Sequence, residues 1–386
     1  MNRYLLSASA AMLLCSSMPS MAQNDEPKLK INPTGRILLD GALYCTPQKP
    51  DFKDGFAIPD VRLGAKVQYG NWKAKIDVGF AYNKVGLKDL YFEYDFNDQH
   101  LLRLGSFIHQ YGLQSATSSS MKPTMEEPIS NAVFNDARQI GLMYVYNGDK
   151  FFGTASVHVE PKATTVVLRP DQFTQEGWGF RSRLVARPLH EEGKVVQVGF
   201  SGGFASPQNV NDPNTPHNSF QFKSNFPTRV AQVTAIDATV DHAMNLWKFT
   251  PELLINYGPV ALESQYFFQR VNRRDNLHAY TAQGAYATLR GLILGGNYTY
   301  SMPDAGLATP KKGALECVLS YNYTTLTDAS AGVYGGRLND LSATLNYYIN
   351  KYMIARLHYS YTHTWGRADA PSMSVNGIMA RLQIIF

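Results

Sequence analysis

The sequence predicts an all-β protein made of one transmembrane antiparallel β-barrel. Three observations lead to this prediction: apolar and polar residues alternate in many short segments, turn residues separate these segments, and the chain begins with a secretory signal. Alternation with period two places successive side chains on opposite faces of a strand. The segments are about ten residues long, which is the length of a tilted strand that crosses the membrane in a barrel. We therefore expect one face towards lipid and the other towards a lumen.

Residues 1–22 are predicted to be a signal peptide. Arg3 precedes the apolar run LLSASAAMLLCSSM, and Ser20 and Ala22 supply the small residues expected before a cleavage site. The run is too short to span a bilayer. A lipoprotein signal is the weaker alternative, because two leucines precede Cys15, whereas lipid attachment requires a small residue beside the cysteine.

Residues 23–386 are predicted to form a single barrel domain. After the signal, no apolar run approaches the roughly 20 residues of a transmembrane helix. Only Cys45 and Cys317 remain there, which is too few for a disulfide scaffold. A soluble antiparallel sandwich also alternates, but it keeps fewer tyrosines and tryptophans at its strand ends. This sequence is rich in aromatic residues, with 23 Tyr and 20 Phe. The membrane barrel is therefore the preferred interpretation.

The segment after Gly70-Asn71 shows the alternation most clearly. One face carries Trp72, Ala74, Ile76, Val78 and Phe80, and the other carries Lys73, Lys75, Asp77 and Gly79. An amphipathic helix would repeat every 3.6 residues, so this pattern indicates a strand. The segment before Gly70 alternates in the same way, and the Gly-Asn pair predicts a tight hairpin between the two.

Counting such segments gives 18 candidate strands, although residues 231–244 and 279–289 alternate poorly. Short turns are predicted at Asn97-Asp98, Asn147-Gly148-Asp149, Gly258-Pro259, Arg290-Gly291 and Asn350-Lys351. Long connections are predicted at residues 110–135, 162–176, 206–228, 303–312 and 367–374. A barrel in the outer membrane has short turns on one rim and longer loops on the other, and the sequence broadly follows this alternation.

The last segment, GIMARLQIIF, also alternates and ends in Phe386. Lipid offers no hydrogen-bonding partner to an unpaired strand edge, so this strand is expected to pair with the first strand and close the barrel. A terminal aromatic residue on such a strand is also expected to be the signal that the outer-membrane assembly machinery reads.

Basic residues on the polar faces are the candidate lumen-lining and anion-binding residues. An Arg or Lys facing lipid at the membrane midplane costs about 2–4 kcal/mol, whereas the same residue in a wet lumen costs little. The predicted inward cations are Arg62, Lys66, Lys73, Lys75, Arg103, Arg181, Arg183, Arg187, Arg356 and Arg381. They outnumber the predicted inward acids Asp77, Asp89, Glu93 and Asp95, so small anions are the expected permeant solutes.

Arg181, Arg183 and Arg187 share one face of a single predicted strand. Alternate residues on a strand lie about 6–7 Å apart, so these guanidinium groups are spaced to pass an anion along the wall. The alternative is that they pair with carboxylates on neighbouring strands, which the sequence does not exclude.

The segment at residues 110–135 interrupts the strand pattern, and it is the third connection on the long-loop side if residues 30–44 form the first strand. Thr124 to Glu127 after Pro123 resembles a capping box, which predicts one helical turn there. Its apolar residues favour a loop folded into the lumen over an external loop, and they are Met121, Met125, Ile129, Val133 and Phe134. Such a loop would narrow the pore and bring Lys122 into it.

Three runs, KDLYFEYDF, LLRLGSFIHQYGLQSATSSS and FNDARQIGL, resemble the signature region of the phosphate-selective porins of the O and P type. The matching positions are Asp89, Arg103, Gly105, Phe107, Gly112, Leu113, Ser118, Ser119, Arg138 and Gly141. The resemblance implies a barrel of 16 strands, and the 18 counted from the segments stays the alternative. It also implies a homotrimer, a constricting third loop, and passive diffusion of anions across the outer membrane of a Gram-negative bacterium. The chain differs from many members at residues 108–111, where they have Lys-x-Pro.

Two other function classes were weighed. A hydrolase embedded in the barrel would need a nucleophile, a base and an orienting acid, but His358 and Ser360 share a strand face without an evident acid. No Gly-x-Ser-x-Gly or His-Glu-x-x-His motif occurs. A barrel that serves as a binding or structural partner in a nutrient-uptake complex is the other alternative. We expect no enzyme activity, no metal, no cofactor and no nucleic-acid partner.

Overall fold

The computed structural model describes residues 27–47, 51–82, 84–117, 121–136, 138–159, 177–207 and 218–386. The predicted signal peptide lies outside these residues, as do Ser118, Ser119 and the predicted long connection at residues 162–176. Within the described ranges, no helix is long and apolar enough to cross a membrane.

Sixteen antiparallel strands form a closed barrel, which confirms the predicted number of 16 and makes the alternative of 18 wrong. The barrel strands are β1 (Lys30–Cys45), β2 (Gly55–Tyr69), β3 (Trp72–Ala81), β4 (Lys84–Asp95), β5 (His100–Phe107), β6 (Gln139–Asn147), β7 (Phe151–Val159), β8 (Trp178–Glu191), β9 (Lys194–Ala205), β12 (Ala243–Tyr257), β13 (Val260–Arg273), β14 (Tyr280–Leu294), β17 (Leu315–Asp328), β18 (Val333–Tyr348), β19 (Met353–Arg367) and β20 (Met373–Ile385).

Smaller elements lie off the barrel wall. Two short hairpins are formed by β10 (Phe220–Asn225) with β11 (Thr234–Val240), and by β15 (Tyr300–Ser301) with β16 (Gly306–Leu307). Two helices, α1 (Leu113–Ala116) and α2 (Ile129–Phe134), belong to the connection between β5 and β6. We call residues 108–138 the third loop, because this is the third connection on its rim.

The strand count from sequence was too high because two segments were misassigned. The poorly alternating residues 231–244 contain β11, which packs against Gly335 of β18 instead of joining the wall. The predicted turn at Arg290-Gly291 is also wrong, since both residues lie within β14. Arg290 forms ion pairs with Glu263 on β13 and Glu316 on β17, so it joins three strands where a turn was expected.

The two rims of the barrel differ in their connections. The rim that carries the tight turns, here called the short-turn rim, also carries residues 295–314 between β14 and β17. We call these residues the inserted turn, because their hairpin β15–β16 folds into the barrel. The third loop enters from the opposite, long-loop rim. Since Arg290-Gly291 is not a turn, the long connection predicted at residues 303–312 falls on the short-turn rim.

The barrel closes between β1 and β20, as the sequence predicted. Their register runs from Arg36 opposite Ile385 to Cys45 opposite Asn376. At the end of the seam, the Gly35 amide donates to the Phe386 carbonyl at 2.8 Å, and the Phe386 amide donates to the Gly35 carbonyl at 3.1 Å. A Cβ atom at Gly35 would lie 2.2 Å from the Phe386 ring. The ring therefore covers the backbone of β1 where only glycine leaves room.

Aromatic rings cluster on the outer face at both rims. Trp72 and Tyr94 lie 4.7 Å apart between ring centroids at the short-turn rim. Trp178, Phe204 and Trp247 form a similar group at the long-loop rim, with centroid distances of 5.2 and 5.0 Å. Aromatic girdles of this kind mark the two membrane interfaces of an outer-membrane barrel. Apolar side chains such as Leu319 lie between them, half exposed to the surroundings.

An apolar core occupies part of the barrel interior. It joins the third loop to the hairpin β10–β11 and to the inner faces of β13 and β14, and includes Ile129, Phe134, Phe222, Phe267 and Tyr286. Burial of this apolar surface provides the driving force that keeps the third loop inside the barrel. The remaining interior, along β1–β5, is lined by charged residues and contains a cavity.

Candidate functional site

A cavity of about 510 Å³ lies along the inner wall formed by β1–β5 and the last two residues, Ile385 and Phe386, with the third loop and the inserted turn on its other side. Its basic lining residues are Arg36, Arg62, Lys66, Lys75, Arg103 and Arg138. Its acidic lining residues are Asp77, Asp89 and Asp304. We call this space the charged cavity. Six basic residues and three acidic residues thus line the charged cavity.

Ion pairs along the cavity wall connect its charges. Lys75 Nζ lies 2.7 Å from Asp77 and 2.6 Å from Asp89, and Arg138 Nε lies 2.5 Å from the other Asp89 oxygen. The Asp89 carboxylate thus pairs with two cations, Lys75 and Arg138. Arg103 stacks over Tyr91 with its guanidinium carbon 4.4 Å from the ring centroid. These contacts fix the side chains in place.

Other carboxylates next to the cavity also pair with two cations each. Glu93 binds Arg103 at 2.6 Å and lies 3.6 Å from Lys73, which also pairs with Asp95 at 2.5 Å. Asp60 binds both Arg36 and Arg62, the latter at 2.7 Å. Lys73 therefore belongs to the same charged wall, although it is not one of the residues that line the cavity.

Lys66 and Lys88 are the cations on this wall with the fewest constraints. Lys66 is exposed, and within the part of the chain that the structure describes no carboxylate lies within ion-pair distance of it. Lys88 lies over Gly79, where an added Cβ atom would meet Lys88 Cε at 2.4 Å. The sequence did not predict Lys88, because a bulge between Ile76 and Val78 shifts the alternation of β4. Arg36 was also absent from the inward cations that the sequence predicted.

The three arginines of β8 lie on its inward face, but their side chains are 0–2% exposed. Arg181 pairs with Asp136 of the third loop and donates to Gln139 at 2.6 Å. Arg183 makes two hydrogen bonds to the Glu252 carboxylate, at 2.7 and 3.0 Å. None of the three lines the charged cavity. An anion path along them stays a prediction, and this geometry favours a structural role.

Arg187 is held by oxygen atoms from two connections. It donates to Asn147 Oδ1 at 2.6 Å and to the carbonyl oxygen of Asp149 at 3.0 Å, both on the turn between β6 and β7. It also donates to the carbonyl oxygen of Met302 in the inserted turn at 2.9 Å. A guanidinium group has five N–H donors in a fixed fork, which suits such a site.

Arg356 and Arg381 hold the third loop against the opposite wall. Arg356 donates to the carbonyl oxygens of Lys122 and Pro123, at 2.9 and 3.3 Å. Arg381 binds Asp40 at 2.6 Å and Glu126 of the loop at 2.5 Å. The side chain of Lys122, predicted to enter the pore, pairs with a glutamate of its own loop. These three predicted residues therefore contact the loop and not the charged cavity.

The contacts of two neighbouring glutamates explain why the predicted helix start is wrong. Glu127, the glutamate of the predicted capping box, pairs with Lys122 and accepts a hydrogen bond from Asn131 Nδ2 at 2.6 Å, so it does not reach back to cap a helix. Glu126 is held by the wall: burial raises the pKa of its carboxyl, but the positive charges of Arg229 and Arg381 outweigh burial and lower that pKa to about 2. The helix α2 instead begins at Ile129, directly after Pro128.

Wall residues also hold the third loop through its backbone. The Gly112 amide donates to Ser201 Oγ at 3.0 Å, and the Gln114 amide donates to Gln265 Oε1 at 3.1 Å. Gly112 has a φ of +80°, and a Cβ atom there would lie 2.0 Å from Gln265. The glycine of the family pattern is thus required by a close approach to the wall. The loop narrows the lumen near the middle of the barrel.

His358 and Ser360, the pair considered for a hydrolase, lie on the inward face of β19. His358 Nδ1 is 2.7 Å from the Thr344 hydroxyl. Among the described residues, no carboxylate is hydrogen-bonded to this imidazole. The pair lacks the orienting acid of a catalytic site.

A closed 16-stranded barrel with an apolar outer band, a charged interior and an inward-folded third loop defines an outer-membrane porin. The chain belongs to the phosphate-selective porin O and P family, whose profile matches residues 32–386. A search of curated protein sequences gave no match.

Solved structures of outer-membrane barrels share the fold. OmpT of Vibrio cholerae in its trimer form is 10% identical and gives a TM-score of 0.58, over 93% of this chain and 99% of that chain. An anion-selective porin from Comamonas acidovorans is 11% identical, with a TM-score of 0.56 over 93% and 100% of the two chains. The channel DcaP of Acinetobacter baumannii is 12% identical, with a TM-score of 0.56 over 93% and 97%. At these identities the likeness concerns the fold alone.

Proposed function

We propose that this porin lets small hydrophilic solutes diffuse passively across the outer membrane and that it prefers anions. The observation that carries the proposal is the composition of the charged cavity, with six basic and three acidic lining residues. A wall with an excess of one charge raises the local concentration of oppositely charged solutes. Lys66 contributes most directly, because within the described residues it has no ion-pair partner.

Phosphate and other small anions are the proposed solutes. The family to which the chain belongs is named for phosphate selectivity, and one porin of similar fold is named as anion-selective. Guanidinium groups such as Arg62 and Arg103 bind planar or tetrahedral oxyanions through paired N–H donors, whereas Lys66 and Lys75 act as point charges. Both kinds of donor border the same cavity.

The test is ion selectivity of the purified porin in a planar bilayer under a potassium chloride gradient. The reversal potential is expected to report a chloride preference. Replacing Arg62, Lys66 and Lys75 together by Gln should move the chloride-over-potassium permeability ratio towards or below unity, because Asp77 and Asp89 then lose a positive partner. Lys351→Gln, in an exposed turn away from the cavity, is the matched control and should leave the ratio unchanged.

Measuring the ion selectivity at several salt concentrations makes this test more specific. Exposed charges are screened over about 10 Å at 0.1 M and about 3 Å at 1 M, so the preference of the wild type should weaken as salt rises. A wild-type channel that prefers potassium at low salt would contradict the proposal. A second triple variant, with Gln at Arg181, Arg183 and Arg187, tests the path along β8. If that variant, and not the cavity variant, abolishes the preference, the anion path follows β8.

We further propose a homotrimer, supported by the family and by the trimer form of OmpT of Vibrio cholerae. Chemical crosslinking in native outer membranes should give a three-chain product. Monomer bands alone, from membranes where a known trimeric porin crosslinks fully, would contradict it.

The proposed assembly partner is the machinery that inserts barrels into the outer membrane, with lipid around the finished barrel. The support is the position of Phe386, whose backbone completes the seam with Gly35 and which is 48% exposed. An exposed terminal ring is accessible to a partner before closure and to lipid afterwards.

A further inference from the structure

An apolar groove of about 310 Å³ lies on the outer face of the barrel, across β17–β20. It exists because Cys317 and Ala343 have short side chains, whereas larger side chains surround them. The larger groove residues are 39–54% exposed and are Leu345, Leu357, Tyr359 and Ile378. Strand alternation directs these side chains outwards, so the groove opens to the hydrocarbon of the membrane.

Three lysines, here called the rim lysines, cluster on the short-turn rim at the ends of β17–β19. Lys311 and Lys312 lie near the end of the inserted turn, and Lys351 lies in the turn between β18 and β19. All three are exposed, and with Asn350 and Tyr352 they border one open space of about 710 Å³. The lysines therefore converge although they belong to two different connections.

Backbone hydrogen bonds fix the rim lysines relative to the barrel wall. The Gly313 amide donates to the Tyr348 carbonyl at 2.6 Å, and the Tyr348 amide donates to the Ala314 carbonyl at 3.0 Å. The pairing of β17 with β18 thus continues to the residue next to Lys312. The position of the lysine cluster is therefore set by the same strands that carry the groove.

The rim lysines have little acidic compensation. Lys311 Nζ lies 3.8 Å from Glu192, and these two side chains are 71% and 56% exposed. Among the residues that the structure describes, no carboxylate lies within ion-pair distance of Lys312 or Lys351. Lys351 Nζ instead lies 4.6 Å from the ring centroid of Tyr352. Lysines at a membrane surface attract the phosphate groups of anionic lipids.

The groove and the rim lysines are separated by the depth of one lipid leaflet. Leu345 in the groove and Asn350 beside the lysines are five residues apart. A strand rises about 3.3 Å per residue, so they lie roughly 17 Å apart along the chain. A tilt of about 40° reduces this to a depth of about 13 Å. Half of the hydrocarbon core is about 15 Å thick, so one acyl chain spans the distance.

Two tyrosines mark the level of the membrane interface between the groove and the rim lysines. Tyr347 and Tyr352 are 46% and 45% exposed. Tyrosine rings prefer the headgroup region, where one end of the ring is apolar and the other is hydrated. The rim lysines therefore lie at the level of the lipid phosphates, and the groove lies within the hydrocarbon.

We propose that the groove and the rim lysines form one binding site for an anionic phospholipid of the periplasmic leaflet. The phosphate lies on the rim lysines, and one acyl chain lies in the groove over Cys317 and Ala343. The positive charge selects an anionic headgroup over a zwitterionic one, and the groove selects a lipid over a soluble phosphate. This site is on the outside of the barrel and acts on the membrane, not on the permeant solute.

The first test is a lipid titration of the purified porin in nonionic detergent, followed by native mass spectrometry. Palmitoyl-oleoyl phosphatidylglycerol should fill one site per chain, at a concentration at least about tenfold lower than phosphatidylcholine with the same chains. A triple variant should bind both lipids equally weakly, with Gln at Lys311, Lys312 and Lys351. Equal affinity of the wild type for the two lipids would overturn the proposal.

A matched triple variant controls for the loss of charge. It carries Gln at three other exposed lysines of the short-turn rim, Lys28, Lys30 and Lys194. This variant should bind phosphatidylglycerol like the wild type. If both triple variants lose the same affinity, the rim lysines form no site and the proposal is wrong.

The second test locates the lipid on the wild-type porin in phosphatidylcholine vesicles. A phosphatidylglycerol with a diazirine at the middle of one acyl chain is added in trace amounts, and the crosslinked residues are identified by mass spectrometry after illumination. Crosslinks should concentrate on Cys317, Leu345 and Leu357, and an excess of unlabelled phosphatidylglycerol should suppress them. Equally strong crosslinks at Ile293, an exposed residue on the outer face of β14, would contradict the proposal.

The third test fills the groove. Cys317→Leu with Ala343→Leu should weaken phosphatidylglycerol binding several-fold, whereas Ala287→Leu, at an exposed outward position on β14, is the control and should not. Unchanged affinity of a folded groove variant overturns the proposal. A groove variant that keeps its lipid but loses its oligomer also overturns it, because a second copy of the chain would then be the occupant. If the groove variant does not assemble, the crosslinks on the wild type decide.

Discussion

The two sides of the barrel interior use inward arginines in different ways. On the charged wall of β1–β5, Arg103 keeps 24% of its side chain exposed beside the cavity. On the side filled by the third loop and the inserted turn, Arg183 and Arg290 are at most 4% exposed and bind carboxylates there. Strand alternation directs all of them inward. The groups that face an arginine across the lumen decide whether its side chain borders the cavity or is buried in an ion pair.

The energetic reason for the difference is solvation. A buried guanidinium has lost its water and needs a carboxylate and further acceptors to compensate, whereas one beside a wet cavity keeps part of its hydration. Arg290 is bound by Glu263 and Glu316 on the strands at either side of its own. Removing a charge should therefore have a large effect on stability at the filled side and a small one at the charged wall.

The largest expected effect comes from Arg290→Gln, which leaves two buried carboxylates without their shared cation. Breaking a buried pair costs about 3–5 kcal/mol. The folded fraction, measured from heat-modified mobility during urea unfolding in detergent, should fall steeply. Arg103→Gln is the matched variant on the charged wall and should destabilise less, because Arg103 is 24% exposed and Glu93 keeps Lys73 at 3.6 Å. Equal destabilisation by both variants would mean that the two sides do not differ in solvation.

A second variant tests the seam between β1 of the charged wall and β20 of the filled side. Deleting Phe386 removes two backbone hydrogen bonds to Gly35 and the ring that covers it, so the yield of barrel in the outer membrane should drop while export continues. Fractionated membranes and a heat-modifiability gel provide the measurement. Ile384→Ala, on the same outward face, keeps the terminal ring and should reduce the yield much less. Full assembly of the deletion variant would refute this role of Phe386.

The smallest expected effect concerns acid and the third loop. The pKa of Glu126 is lowered from 4.5 to about 2, so its ionised form stabilises the folded state above pH 4.5, and this contribution is lost as pH falls from 4.5 towards 2. Glu126→Gln removes the contribution at every pH. The difference in unfolding temperature between wild type and variant should be largest near pH 7 and shrink below pH 4.5. A difference that grows in acid would show that Glu126 does not act through Arg229 and Arg381.

Much of the fold followed from the sequence because strand alternation is a local property. Lys73, Lys75 and Asp77 lie on one face wherever the strand is placed, and the terminal residue Phe386 has to pair with the first strand because lipid leaves no edge unpaired. The same reasoning failed at Arg290-Gly291, where residues typical of a turn lie in mid-strand. It failed again at Lys88, where a bulge reverses the alternation.

Local residue patterns thus predicted the barrel and the inward direction of most of its charges, and the apolar residues of the third loop favoured an inward fold. The tertiary structure decided which of those charges face a solute. Arg183 and Glu252 are 69 residues apart in sequence, and Arg381 and Asp40 are 341 apart. Such pairs form only once the barrel has closed and its loops have folded into the lumen. Burial is a property of that closed interior, and no local pattern of residues encodes it.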